Sequence, residues 1–238
     1  SMFDRIKYKN FAKIQLKNRF KIPVLMVLFT GLILIFLSIP QALNDSASIN
    51  QEVSLNSFYT SVDIPFQQNL VNDISNILTF IVSCIFSMAT AFVYIKMSKS
   101  PDKIFFSDFI EGFSLWKKGI LSGLWQSLWI FLWSLLFFIP GIIKSYAYSQ
   151  SFYLLTEYPK LSVTQALKVS MKITNGSKWE LFILDLSFIP WILLGAITAG
   201  IAFFYVIPYY QMTKINAYHG LLKDAVEKGI ISKSDLCE

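Results

Sequence analysis

The sequence predicts an all-α membrane protein: a six-span helical bundle with interfacial amphipathic helices and both termini in the cytoplasm. Three observations carry this. Hydrophobic residues make up 54% of the 238-residue chain and charged residues only 15%, against about 25% charged in an ordinary soluble domain. Apolar runs recur at lengths that match the hydrocarbon core of a bilayer, which takes about 20 helical residues to cross. Lysines and arginines gather between alternate runs, the asymmetry that orients membrane spans.

Two runs, residues 22–39 and 74–97, are long enough to cross alone. Two others are too long for one crossing. Residues 119–157 carry the turn-forming pair Pro140-Gly141 at their centre, and residues 179–218 carry Gly195 and Gly200 near the middle, between Pro190 and Pro208. Read as hairpins, these give spans at about 22–40, 74–97, 119–139, 141–157, 179–195 and 199–218. They form a membrane domain over 22–224, preceded by a basic segment (1–21) and followed by a cytoplasmic tail (225–238). No cleavable signal is expected, because about twenty mostly polar residues precede the first apolar run and no A-x-A-like site follows it.

Basic residues set the orientation. Residues 1–21 hold seven of them, while the 41–73 loop holds none and carries Asp45, Glu52, Asp63 and Asp73. With six spans and both termini inside, all of the 21 basic residues except Lys144 lie on the inner side. Five spans would put the last four lysines outside. The formal charge of +6 therefore points to anionic lipid headgroups at the inner face of the cytoplasmic membrane, and not to nucleic acid. A protein partner or a homo-oligomer is compatible with the same composition.

The segments between spans are amphipathic. Residues 2–20 make a basic interfacial helix with Phe3, Ile6, Phe11, Ile14 and Phe20 on its apolar face, from whose neighbourhood Lys7, Lys13 and Lys17 can snorkel. Phe106, Phe109, Ile110, Phe113 and Trp116 follow helical spacing, with Asp108 and Glu111 opposite. In "LSVTQALKVSMKITNG", Ser162 and Gln165 form a capping box, Lys168 and Lys172 share the polar face, and Gly176 closes the helix. The 41–73 segment lacks helical periodicity and reads as an outer loop.

The phrases "LWSLLFFIPGIIKSYAYSQSFYLLTEYP", "TQALKVSMKITNGSKWELFILDLSFIPWILLG" and "VIPYYQMTKINAYHGLL", in this order, resemble an uncharacterised family of bacterial integral membrane proteins. That family is a multi-span domain of unknown function found mostly in low-GC Gram-positive bacteria. The resemblance implies a cytoplasmic-membrane protein without an assigned activity.

Within the apolar runs a few polar residues stand out. On a helix begun at Gly141, Lys144, Tyr148 and Ser151 share one face, and Tyr146, Gln150 and Tyr153 share another. Charges in a span usually face a bundle interior or a water-filled cavity, yet Lys144 is only about 5 Å past the turn and can also snorkel outward. Asp185 lies about 10 Å inward from Lys178. A Lys144–Asp185 pair would need tilted or broken helices to close. Trp125, Trp129 and Trp133 form one stripe, and Pro208 frees a backbone carbonyl near Tyr209, Tyr210 and Gln211. Two cysteines and one histidine, His219, give no disulfide framework, metal spacing or cofactor site. The catalytic motifs G-x-S-x-G and H-E-x-x-H and a phosphate-cradling glycine loop are absent, so a non-enzyme is expected.

Two functions fit these residues. In the first, the chain is a non-catalytic membrane scaffold or partner subunit whose polar residues are interhelical glue. In the second, it is a transporter or ligand-binding protein with a polar cavity around Lys144 and Asp185, lined by proline-broken hairpins. Satisfied packing around both residues distinguishes the first; an open pocket distinguishes the second.

Overall fold

The computed structural model describes residues 3–52, 64–136 and 138–236, and every regular element among them is a helix. Eleven α-helices follow in chain order: α1 (Arg5–Leu16), α2 (Lys21–Glu52), α3 (Ile64–Lys99), α4 (Phe106–Gly112), α5 (Trp116–Leu136), α6 (Phe138–Tyr148), α7 (Ser151–Glu157), α8 (Val163–Ile173), α9 (Lys178–Leu186), α10 (Ile189–Ile197) and α11 (Phe203–Glu227). Among the described residues, three helical stretches are long and apolar enough to cross a membrane: Lys21–Leu43, Leu70–Lys99 and Lys178–Ile197. The chain divides into two compact units, one of Leu28–Ser83 and one of Ser1–Val27 with Cys84–Glu238.

The first unit is the distal part of α2 and the proximal part of α3. Both helices continue into the stretch that the sequence assigns to an outer loop, α2 as far as Glu52 and α3 from Ile64. The physical reason lies in residues 41–52, which contain Ala, Leu, Gln and Glu but neither Gly nor Pro after Pro40. Polarity removes apolar periodicity without removing helix propensity. The rest of that loop, residues 53–63, lies outside the described residues.

The second unit is built around the last four turns of α3, where Met88, Ala89, Val93, Tyr94 and Met97 are buried. Helix α1 begins at Asp4, whose Oδ1 accepts the Ile6 and Lys7 amides at 3.0 Å each. It ends before Asn18, which takes the left-handed conformation (φ 64°) that asparagine tolerates. Against expectation, α1 packs through Tyr8, Ala12 and Leu16, spaced four apart and facing α11. Ile6, Phe11 and Ile14 stay exposed. Gly220 on α11 makes the room, because a Cβ there would meet the Tyr8 hydroxyl.

Helix α4 turns Asp108 inward instead of outward. Its Oδ1 accepts Lys96 Nζ at 2.7 Å and its Oδ2 accepts the Phe105 amide at 2.8 Å, while Phe109 packs against Phe86 and Phe113. Burial pushes the Asp108 carboxyl up, but the Lys96 and Phe105 hydrogen bonds outweigh it and hold the group below its ordinary value. A depressed acid stabilises the fold fully above its unfolded pKa, about 4, and loses that contribution as pH falls through the lower folded value. Asp108→Asn should therefore reduce thermal stability at pH 7 and weaken its dependence on pH below about 4. An unchanged acid limb in a melting series would show that the pair contributes nothing.

Three predicted spans are interrupted or shifted. Helix α6 begins at Phe138, so Pro140 and Gly141 lie inside its first turn, where a missing amide costs no helical bond. Helix α6 stops at Tyr148 because the Ser170 hydroxyl of α8 enters its ladder, donating to the Ala147 carbonyl (2.7 Å) and accepting the Gln150 amide (3.2 Å). Such insertions bend or break helices. Helices α9 and α10 part at Ser187–Phe188, where α10 begins with Pro190 in its first turn and Lys9 Nζ donates to the Ser187 carbonyl at 3.3 Å. Helix α11 runs to Glu227 with Pro208 inside it. In α8 the Ser162–Gln165 capping box forms as anticipated, with bonds of 3.3 and 2.9 Å, and Gly176 follows at φ +82°.

Candidate functional site

A carboxylate near a helix break in the second unit accepts four hydrogen bonds. Asp185, in the last turn of α9, accepts Lys214 Nζ on both oxygens at 3.0 and 3.3 Å. Tyr146 of α6 donates its hydroxyl to Oδ2 at 3.0 Å and Tyr210 of α11 donates to Oδ1 at 3.1 Å. The ammonium also lies 5.6 and 6.0 Å from the Tyr210 and Tyr146 ring centres, within cation–π range. Four hydrogen bonds from three donor groups engage both carboxylate oxygens, and one opposite charge neutralises the group. Lys214 is 9% exposed and Asp185 25% at their side chains.

Local sequence places these groups. Tyr210 and Lys214 stand four apart on α11 and so share a face. Tyr146 comes from the last turn of α6, just before the break that Ser170 imposes. The pairing of Asp185 with Lys214 replaces the Lys144–Asp185 pair that the sequence raised. Lys214 escaped notice as a site residue because it counts equally well as an inner-face lysine. Its spacing from Tyr210 was the available signal.

The other residues singled out from sequence do not join this cluster. Lys144 sits over the Trp133 ring at 4.7 Å and over the Tyr148 ring at 5.9 Å, which explains why the tryptophan stripe continues to Trp133. Tyr148 is buried. Ser151 opens α7, not the Lys144 helix, and its hydroxyl donates to the Tyr148 carbonyl at 2.8 Å. Gln150 is fully buried. Its Nε2 donates to Ser149 Oγ at 2.7 Å, while its Oε1 has no hydrogen-bond partner among the described residues. Tyr209 is buried among Phe188, Trp191 and Tyr205, with ring centres 5.2 to 6.0 Å away, and Lys13 Nζ lies 5.7 Å from its ring.

Another acid, buried at its side chain, lies outside the residues that the sequence singles out. Glu157, at the end of α7, accepts the Tyr218 hydroxyl at 2.5 Å and lies 2.5 Å from Lys99 Nζ. His219 Nδ1 is 4.0 Å away, and its Nε2 is 2.9 Å from Ser98 Oγ. The group ties α3, α7 and α11 together. The Asp185 cluster holds no nucleophile beside a base, the Glu157 cluster sets the Ser98 hydroxyl beside the His219 imidazole, and no set of three metal-ligating side chains converges among the described residues.

A cavity of about 400 Å³ lies instead where the start of α1 meets the end of α11, lined by Asp4, Lys7, Tyr8, Gly220, Lys223, Asp224 and Glu227. Charges of both signs face it, and none of the intramembrane polar candidates (Lys144, Tyr148, Gln150, Ser151, Asp185 and Tyr209) lines it.

No curated protein and no solved structure matches the chain. Residues 135–225, from the end of α5 through most of α11 and including both Asp185 and Glu157, match the family described as "Protein of unknown function (DUF975)".

Proposed function

We propose that this chain is a multi-span protein of the cytoplasmic membrane that serves as a non-catalytic scaffold or partner subunit. The six apolar segments are its membrane-embedded parts, both termini lie on the inner face, and anionic headgroups meet the lysines there. The observation that carries the scaffold reading is the saturated Asp185 carboxylate. A transport site needs donors or acceptors free for cargo, whereas Asp185 spends its acceptor capacity on Lys214, Tyr146 and Tyr210. Those bonds join α6, α9 and α11, as polar glue between apolar helices does. Lys144 is likewise engaged by two aromatic faces. A protein partner or a second copy of the chain is the counterpart of such a scaffold.

Two observations favour transport. Helix breaks at 149–150 and 187–188 resemble the discontinuous helices of transporters, and Gln150 Oε1 is buried without a partner among the described residues. Single cysteines at Tyr148, Gln150 and Ser151, treated with water-soluble and lipid-soluble thiol reagents in membranes, separate the two. The scaffold reading predicts protection from both reagents at all three. Reaction with the water-soluble reagent at 148 and 151 would overturn it in favour of a cavity.

A further inference from the structure

We propose that the α10–α11 hairpin, from Phe188 to Tyr205, is a re-entrant dip into the acyl chains of the inner leaflet, entering and leaving on the cytoplasmic side. The proposal rests on the membrane reading above. It replaces the fifth and sixth crossings with one dip and leaves both termini inside.

The base of the hairpin is held at the level where the chain first enters the membrane. Phe20 immediately precedes Lys21, which opens the first membrane-capable helix, and its ring stacks on Tyr205 with centres 5.3 Å apart. Arg19 donates to the Met97 carbonyl at 3.1 Å, so the last turn of α3 lies at that level too. The other side of the base carries charge. Lys9 Nζ donates to the Ser187 carbonyl and stands 4.4 Å from the Phe188 ring centre, and Lys13 lies over Tyr209. A lysine at the bilayer centre is strongly unfavourable. Ser187, Phe188 and Tyr209 therefore belong at the headgroups.

Aromatic placement gives the same level independently. Trp191, Tyr205 and Tyr209 cluster with ring centres 5.9 to 6.2 Å apart. Tryptophan and tyrosine collect at membrane–water interfaces, and here they gather at the hairpin base. Beyond them only α10 and the turn remain. Helix α10 has nine residues, about 14 Å at 1.5 Å each, against about 30 Å of hydrocarbon. The hairpin ends near mid-bilayer.

Its tip is built for hydrocarbon and not for outside water. Residues 186–213 contain no charged side chain. Every amide from Thr198 to Phe203 donates within the hairpin: Thr198 to Leu194 O, Ala199 to Ala196 O, Gly200 to Gly195 O, Ile201 to Thr198 O and Phe203 to Gly200 O, and Ala202 to Thr198 Oγ1. A loop in water needs no such closure; backbone in lipid does. Positive φ at Ala199 and Gly200 lets the chain turn this tightly. Ile197 and Ile201, 82% and 73% exposed, flank the tip.

Cysteine labelling in intact cells tests the proposal. The parent carries Cys237→Ser and retains Cys84, which is buried, and serves as the unlabelled blank. Single cysteines are placed at Ser57, Ile197 and Ile201, and each variant is checked for monodispersity in detergent. With a membrane-impermeant maleimide, Ser57→Cys should label, and Ile197→Cys and Ile201→Cys should not. Nitroxides at 197 and 201 in liposomes should collide several-fold more with oxygen than with a water-soluble nickel chelate. Labelling of 197 or 201 from outside would restore two crossings and overturn the dip. Ready collision with the nickel chelate would put the hairpin in water and also overturn it. Failure of Ser57→Cys to label would refute the membrane topology itself, and the dip with it.

Discussion

Asp185→Leu is expected to destabilise the protein by about 3 kcal/mol, the low end of the range for breaking a buried ion pair, because the Asp185 side chain retains 25% exposure. The loss has two parts. Lys214, only 9% exposed, is left as an unpaired charge, and the Tyr146 and Tyr210 hydroxyls lose their acceptor. Asp185→Asn keeps an acceptor for the tyrosines and should cost clearly less. Combining Asp185→Leu with Lys214→Met should recover much of the loss, since replacing both members of a buried pair with apolar residues is often neutral. Unfolding midpoints in detergent measure all three. Equal, negligible effects from Asp185→Leu and Asp185→Asn would place the residue in water and remove the cluster from the account.

Glu157→Ala is expected to cost about 2 kcal/mol, within the range for stranding a buried polar group. The Glu157 side chain is 6% exposed, and Tyr218, whose hydroxyl it accepts at 2.5 Å, is fully buried. Lys99→Ala should cost much less. Its ammonium is at the end of a side chain 53% exposed, and exposed ion-pair partners contribute about 0–1 kcal/mol. Tyr218→Phe combined with Glu157→Ala should lose little more than Glu157→Ala alone, since the two share one bond. If Lys99→Ala and Glu157→Ala were equally costly in the same unfolding assay, the ion pair and not the tyrosine bond would dominate.

The helices themselves were readable in the sequence, because apolar periodicity and caps such as Ser162–Gln165 act over a few residues. Their interruptions were not. The break after Tyr148 depends on Ser170, 20 residues from Gln150, and the break at Ser187 is bonded by Lys9, 178 residues away. No local propensity records either contact. The continuation of α2 to Glu52 has a different cause: its polar residues lack apolar periodicity but can still continue a helix.

The candidate site was half legible. Asp185 stands out as an acid within "WELFILDLSF", and Tyr146 and Tyr210 belong to polar faces that the spacing identifies. Their convergence on Lys214 required the fold. The Tyr8–Ala12–Leu16 face of α1 was hidden similarly. Ile6, Phe11 and Ile14 are the more apolar set, but Gly220 on α11 gives Tyr8 the only close approach of its kind described along that helix.

The central claim is that the chain is embedded in the cytoplasmic membrane with both termini inside. The most direct test is labelling of intact cells that express single-cysteine variants at Ser57 and at Ser232, in the Cys237→Ser background. The account predicts that a membrane-impermeant maleimide labels position 57 in intact cells and labels position 232 only after permeabilisation. Labelling at 232 in intact cells, or none at 57, would contradict it.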